Sequence, residues 1–253
     1  MASVDALVLA AAEFVVTDLD LAAEPAAMAA AQRSLDHSGL LLLGEVHGVR
    51  ENPLLARALM QALGLTGLAL EWHQDLAPAI EAFLATRMLA DHWLLWPGDG
   101  RITAGHLAVL AERARAGPLE VILFDGTIGA EWSWSQRDEA MARRILATTA
   151  LPGTGTLVVA GNAHTPTGPT KLGTPMGAWL ARWRPGVKEI RIDYGGGRYY
   201  NTRPRRFGRR SPRSRQVRLH QHNDALILDL PAAQEAVVPH QPQGLPPPAR
   251  TQT

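Results

Sequence analysis

Short, continuous apolar runs alternating with helical stretches constrain this chain more than any other feature. The runs at 40–44 (LLLLG), 68–70 (LAL), 119–124 (LEVILF) and 156–160 (TLVVA) read as strands covered on both faces. Between them, residues 53–63, 76–89, 104–116 and 135–148 carry apolar positions at helical spacing, and further helices are expected at 24–37 and 175–184. Such alternation implies βαβ units. The expected fold is α/β, a central mostly parallel sheet flanked by helices on both faces, with ligands bound at the strand C-terminal ends.

Residues 187–193 alternate like a half-exposed strand, and 225–230 reads as one more strand at a sheet edge. The expected organisation is an N-terminal helical segment (1–38), a single α/β catalytic domain (39–230) and a disordered tail (239–253) rich in proline and glutamine. Within the domain, 198–218 is expected to be an arginine-rich loop. It carries nine arginines and no acid, so removing them from the net charge of +1 leaves −8 for the remainder. An acidic body argues against nucleic acid as a general partner.

A chain of 253 residues with 46% apolar residues can bury one sizeable core. The absence of cysteine removes disulfides, thiolate metal sites and a cysteine nucleophile together. Asp5 and Glu13 interrupt the apolar N-terminal run, and no run reaches the roughly 18 apolar residues that span a bilayer. The expectation is a soluble, cytoplasmic protein with a small-molecule substrate and no membrane partner.

The expected strands end in chemistry-bearing residues: Glu45 and His47 in LLLLGEVH, Glu71 in GLALEW, Asp125 in EVILFDG, His164 in TLVVAGNAH. Glu45 and His47 are two apart and project to one side of an extended chain. Glu71 follows four apolar residues, where an uncompensated carboxylate is expensive. Asp125 reads as turn chemistry in a DG pair. Ser135 and Asp138 have capping-box spacing, which places Arg137 in a first helical turn on a stripe with Met141, Ile145 and Thr148. An inward guanidinium there needs an anion, either a structural carboxylate such as Glu45 or Glu71 or the substrate and its developing transition-state charge. Neither a nucleophile elbow nor a phosphate-binding glycine loop follows the first strand.

In order, GEVHG, Glu71, RDEAMA and AGNAH with a later MGAWL resemble the superfamily containing erythromycin esterase, the haem-binding protein ChaN, and the Tiki and TraB proteins. The resemblance runs from about 40 to 193. It implies motif positions at Glu45, His47, Glu71, Arg137 and His164, and a hydrolase of an ester, lactone or amide-like bond. His47 is then expected to deprotonate water, oriented by Glu45 or Glu71, while Arg137 and His164 steady the oxyanion or protonate the leaving group. Two variants stand beside it: a divalent metal held by His47, Glu45 and His164, and a ChaN-like protein binding haem or another planar ligand through histidines or Tyr199 and Tyr200.

Overall fold

The computed structural model describes residues 4–96, 98–126, 132–149, 155–208 and 216–238. The elements in chain order are α1 (Val4–Glu13), β1 (Ala22–Ala23), α2 (Pro25–Ser38), β2 (Leu40–Glu45), α3 (Asn52–Ala62), β3 (Gly67–His73), α4 (Ala77–Thr86), α5 (Ala104–Ala116), β4 (Glu120–Asp125), α6 (Trp134–Thr148), β5 (Thr156–Gly161), α7 (Met176–Trp183), β6 (Lys188–Tyr194), β7 (Arg198–Asn201), β8 (Arg203–Arg206), β9 (Arg218–His222) and β10 (Ala225–Leu230).

The four leucines that open β2 are fully buried, and the pleat sends them alternately to two different cores. Leu41 and Leu43 join one with Leu55 and Leu59 of α3, Leu107 of α5 and Ala31 of α2. Leu40 and Leu42 join the other with Met141 and Ile145 of α6 and Leu180 of α7. Each such leucine contributes roughly 2 kcal/mol of burial. Helices therefore cover both faces of the sheet, and the chain is α/β as its pattern implies.

The sheet has eight strands in the order β1-β9-β10-β6-β2-β5-β3-β4. The run β10-β6-β2-β5-β3-β4 is parallel throughout, while β9 is antiparallel to β10 and parallel to β1. The chain leaves β2 through α3 on one face and leaves β5 through α7 on the other. In sheets of this kind, ligands bind beyond the carboxyl ends of neighbouring strands whose chains depart to opposite faces, as β2 and β5 do.

Two expectations are corrected. The strand at 225–230 is interior, because a tight turn at Asn223 (φ 52°) folds β9 back along its outer side. The stretch 198–218 is not simply a loop: β7 and β8 form an antiparallel hairpin, and β9 begins at Arg218. Tyr199 anchors that hairpin by packing on Phe207, which stacks on Tyr194 of β6. The tail at 239–253 lies outside the described residues. No helix among the described residues is long and apolar enough to cross a membrane.

Candidate functional site

Glu45 is the last residue of β2, and backbone pairing with Gly161 of β5 holds it in the sheet. His47 follows two residues later, and its Nδ1 lies 3.0 Å from Glu45 Oε1. The loop between them is pinned: Val46 donates to the Tyr194 hydroxyl (3.0 Å), which donates to Asn52 Oδ1 (2.9 Å), while Asn52 Nδ2 donates back to the Val46 carbonyl (2.8 Å). The imidazole thus has one fixed orientation, with Nε2 pointing 3.6 Å from Glu71 Oε2.

Glu71 sits at an irregularity in β3, where the register against β4 shifts between Leu70 and His73. Such shifts re-aim side chains next to functional sites. Glu71 Oε2 accepts the Gly161 amide (2.8 Å), while Oε1 lies 3.4 Å from both Arg101 Nη1 and Arg137 Nη2 and 3.6 Å from His164 Nε2. Burial alone would raise the Glu71 pKa. Arg101, His164, His47 and Arg137 together outweigh it and hold the carboxyl well below the usual range, so Glu71 stays ionised.

His164 leaves β5 through a turn closed by its own amide on the Gly161 carbonyl (2.8 Å). Its Nδ1 lies 2.9 Å from both oxygens of Asp138, a fully buried carboxylate that also accepts the Met176 amide (2.7 Å). Burial pushes the Asp138 pKa up, against the bonds from His164 and Met176. Trp134 stacks on the His164 ring at 5.3 Å and 15°.

The helix bearing Asp138 starts differently from expectation. Ser133 is the N-cap and Gln136 closes the capping box, two residues earlier than the Ser135/Asp138 reading. The Ser135 hydroxyl instead accepts the Thr174 amide (3.0 Å), docking that turn on α6. The buried stripe is therefore Asp138, Met141, Ala142 and Ile145, and Thr148 is exposed. Arg137 lies beside that stripe and still reaches inward, to Asp125 (2.9 Å) and Glu71.

Asp125 does more than its turn role. One oxygen accepts the Gly126 amide (2.9 Å), and the other bridges Arg101 Nη1 (2.8 Å) and Arg137 Nη2. Arg101 comes from the segment before α5: Trp72 Nε1 bonds its carbonyl (2.9 Å), and Asp99 holds its Nε (2.7 Å). Buried Arg137 Nε has no hydrogen-bond partner among the described residues, and neither does Glu45 Oε2. A buried donor without a partner next to a reactive cluster is a place for a ligand oxygen.

His47 sits among acids. Burial opposes its charged form, but the Glu45 hydrogen bond and the charges of Glu71, Glu45 and Asp99 prevail, so its pKa lies above the ordinary value of 6.5. Gly161 makes room for the ring: a Cβ there would stand 3.0 Å from His47 Nε2 and 3.5 Å from Glu71 Oε2.

All five expected site residues, Glu45, His47, Glu71, Arg137 and His164, meet at this mouth. Arg101, Asp138 and Asp99 join them unanticipated. The stripe Asp138, Met141, Ala142, Ile145 was a signal for Asp138, since a carboxylate on an apolar helix face needs a buried partner. Arg101 had no such signal, because its place depends on the Trp72 bond. Among the described residues, no three His, Asp or Glu side chains are arranged to hold a metal ion. Each imidazole has its Nδ1 on a carboxylate, which leaves Nε2 as its inward nitrogen, and two guanidiniums flank the carboxylate that both Nε2 atoms face. His220 Nε2 lies 3.3 Å from Asp229 inside the sheet, and Tyr199, named for a planar ligand, is taken up in packing.

No family model and no curated protein matches the sequence. Among solved structures, a protein from Bacillus cereus has a similar fold, with 12% identity over 82% of this chain and 91% of that one and a TM-score of 0.61. A chain described as bacterial protein toxins aligns at 23% identity over 75% of this chain, with a TM-score of 0.47, and this chain spans only 39% of its length. The type III effector HopBA1 aligns at 16% identity over 78% of this chain and 88% of that one, with a TM-score of 0.40.

Proposed function

We propose that this protein is a hydrolase that adds water to an ester, lactone or amide-like bond at the mouth formed by β2, β3, β4 and β5. One observation carries the reading: two carboxylate–imidazole pairs, Glu45–His47 and Asp138–His164, aim their Nε2 atoms at opposite oxygens of a single ionised carboxylate, Glu71. A carboxylate on Nδ1 fixes the tautomer and turns Nε2 toward the reacting atoms.

In this reading His47 Nε2 takes a proton from water as the water oxygen bonds to the substrate carbonyl carbon. The carbonyl electron pair moves onto oxygen, where Arg137 Nε, a donor without a partner among the described residues, meets the charge. As the tetrahedral intermediate collapses, the carbon–leaving-group bond breaks and His164 Nε2 supplies the proton that the leaving group takes. Glu71, held ionised, stabilises whichever imidazole is cationic and anchors Arg101 and Arg137.

General-base assistance is worth about 10²–10⁴-fold. A screen of esters and lactones, followed by His47→Ala on each hydrolysed substrate, tests the proposal. Turnover should fall by about 10³-fold with the native circular-dichroism spectrum retained; full activity in the variant, or no hydrolysis of any ester, lactone or amide by the wild type, removes this reading.

A further inference from the structure

The arginine hairpin is built into the wall of the mouth rather than standing apart from it. Tyr200 of β7 donates its amide to the Gly48 carbonyl (2.9 Å), and Thr202, at the hairpin turn, donates to the Gly98 carbonyl (2.8 Å). Gly48 in turn donates to Gly100 (2.9 Å). The three backbones are in direct contact: a Cβ on Gly48 would lie 1.9 Å from the Tyr200 carbonyl oxygen, and one on Gly100 would lie 2.6 Å from the same atom. Both glycines have positive φ, 74° and 85°, so the junction depends on them twice over. Gly48 is the residue after His47 and Gly100 the residue before Arg101. The hairpin is thus clamped onto the two segments that carry the base and one of the guanidiniums.

On this hairpin β8 is exposed along its whole length and reads Arg-Pro-Arg-Arg. Arg198 of β7 is paired with Glu235 (3.1 Å). Among the described residues, Arg203, Arg205 and Arg206 have no carboxylate within salt-bridge distance, and Arg205 bonds only the Asn201 carbonyl (3.4 Å). Charge of one sign at the edge of a cleft raises the local concentration of oppositely charged ligands. The interior has the opposite character, since Glu45, Glu71, Asp99, Asp125 and Asp138 outnumber Arg101 and Arg137. An anion driven to the reacting centre would meet those carboxylates, whereas one held at the rim would not.

We infer that the substrate carries an oxyanion group, a carboxylate or a phosphoryl group, remote from the bond that is cleaved, and that the arginines of β8, Arg203 and Arg205 on one face of the hairpin and Arg206 on the other, draw it to the rim. This rests on the hydrolase reading and names its substrate class. Three 4-nitrophenyl esters of matched length test it: the butyrate (neutral), the monosuccinate (carboxylate) and the 3-phosphonopropionate (phosphonate). Wild type should show a KM about tenfold lower for at least one anionic ester than for the butyrate, and which one is favoured separates the carboxylate from the phosphoryl source. R203E/R205E/R206E should raise that KM by about tenfold or more and leave kcat/KM for the butyrate within about twofold, an effect that weakens with salt. Equal preference in wild type and variant overturns the inference.

The amides N-(4-nitrophenyl)succinamic acid and N-(4-nitrophenyl)butyramide, poorer acyl donors than the esters, keep the two readings apart. If wild type hydrolyses none of the esters, calorimetric titration with these amides still decides: binding of the acid alone, lost in the triple variant, upholds the anion rim while the hydrolase reading falls. Equal binding of both amides rejects the rim. Tight, salt-sensitive binding of a DNA duplex that the triple variant loses, with no preference among the esters, reassigns the hairpin to a macromolecular polyanion and also rejects it.

Discussion

The two imidazole corners of the mouth use the same device and are assembled in opposite ways. At the β2 corner, acid and imidazole are two residues apart on one extended segment, 3.0 Å from each other. At the α6 corner, the acid comes from a helix and the imidazole from a turn 26 residues later, joined by a carboxylate with no exposed surface. The first pair is set by local geometry, while the second exists only once α6 and the β5 turn have packed. Sequence-local pairs tolerate perturbation of the surrounding core; a pair made by packing shares its fate.

Exchanging the leaving group separates the corners most strongly. His47→Ala should cost about 10³-fold on any substrate, because water must lose its proton whatever departs. His164→Ala should cost about 10²-fold on an alkyl ester or lactone but little on a 4-nitrophenyl ester, whose leaving group departs unprotonated. Equal losses on both esters in the His164 variant, measured as kcat, would break the division of roles. Asp138→Ala strips partners from both His164 and the Met176 amide and should lower stability by about 2–3 kcal/mol in urea unfolding, whereas Glu45→Ala leaves only His47 without its partner and should cost less than half of that. The reverse order would deny that the α6 corner is the packed one.

Gly161→Ala tests the shared centre. Its Cβ would press on His47 Nε2, and a displacement of that kind can cost about 10²-fold in rate. Gly117→Ala, where a Cβ meets nothing within 4 Å, is the matching control and should be silent. The smallest effect is in the pH profile. Because the His47 pKa is raised, its base form appears only as pH rises past a value above 6.5, so log(kcat/KM) should climb through that region. Glu45→Gln removes the hydrogen-bonded charge, lets burial dominate, and should move this limb to lower pH. An unmoved limb would mean that another group titrates there.

The contrast between corners also explains what the sequence could disclose. Buried strands and their polar ends were legible because continuous apolar runs and period-two spacing are local properties, which is why Glu45, His47 and Glu71 could be named from 45–71 alone. The phase of α6 was not, since Ser133 and Ser135 both offer a cap and only packing chooses between them. Arg101 lies in a glycine- and aspartate-rich turn that reads as surface loop, and its inward guanidinium follows from an indole that captures its carbonyl. Strand order is equally non-local. The strand at 225–230 is expected at an edge, yet it is interior because β9 folds back along it, with His220 of β9 lying 3.3 Å from Asp229.

That interior strand bears on how the molecule comes into being. Since β10 is made after every other strand and inserts between β6 and β9, a nascent chain emerging from the ribosome holds β6 with an unsatisfied edge until residues 225–230 arrive. A stop codon shortly before Ala225 would therefore strand a nearly finished sheet with two further open edges, on β6 and β9, a state prone to pairing with its neighbours rather than to folding.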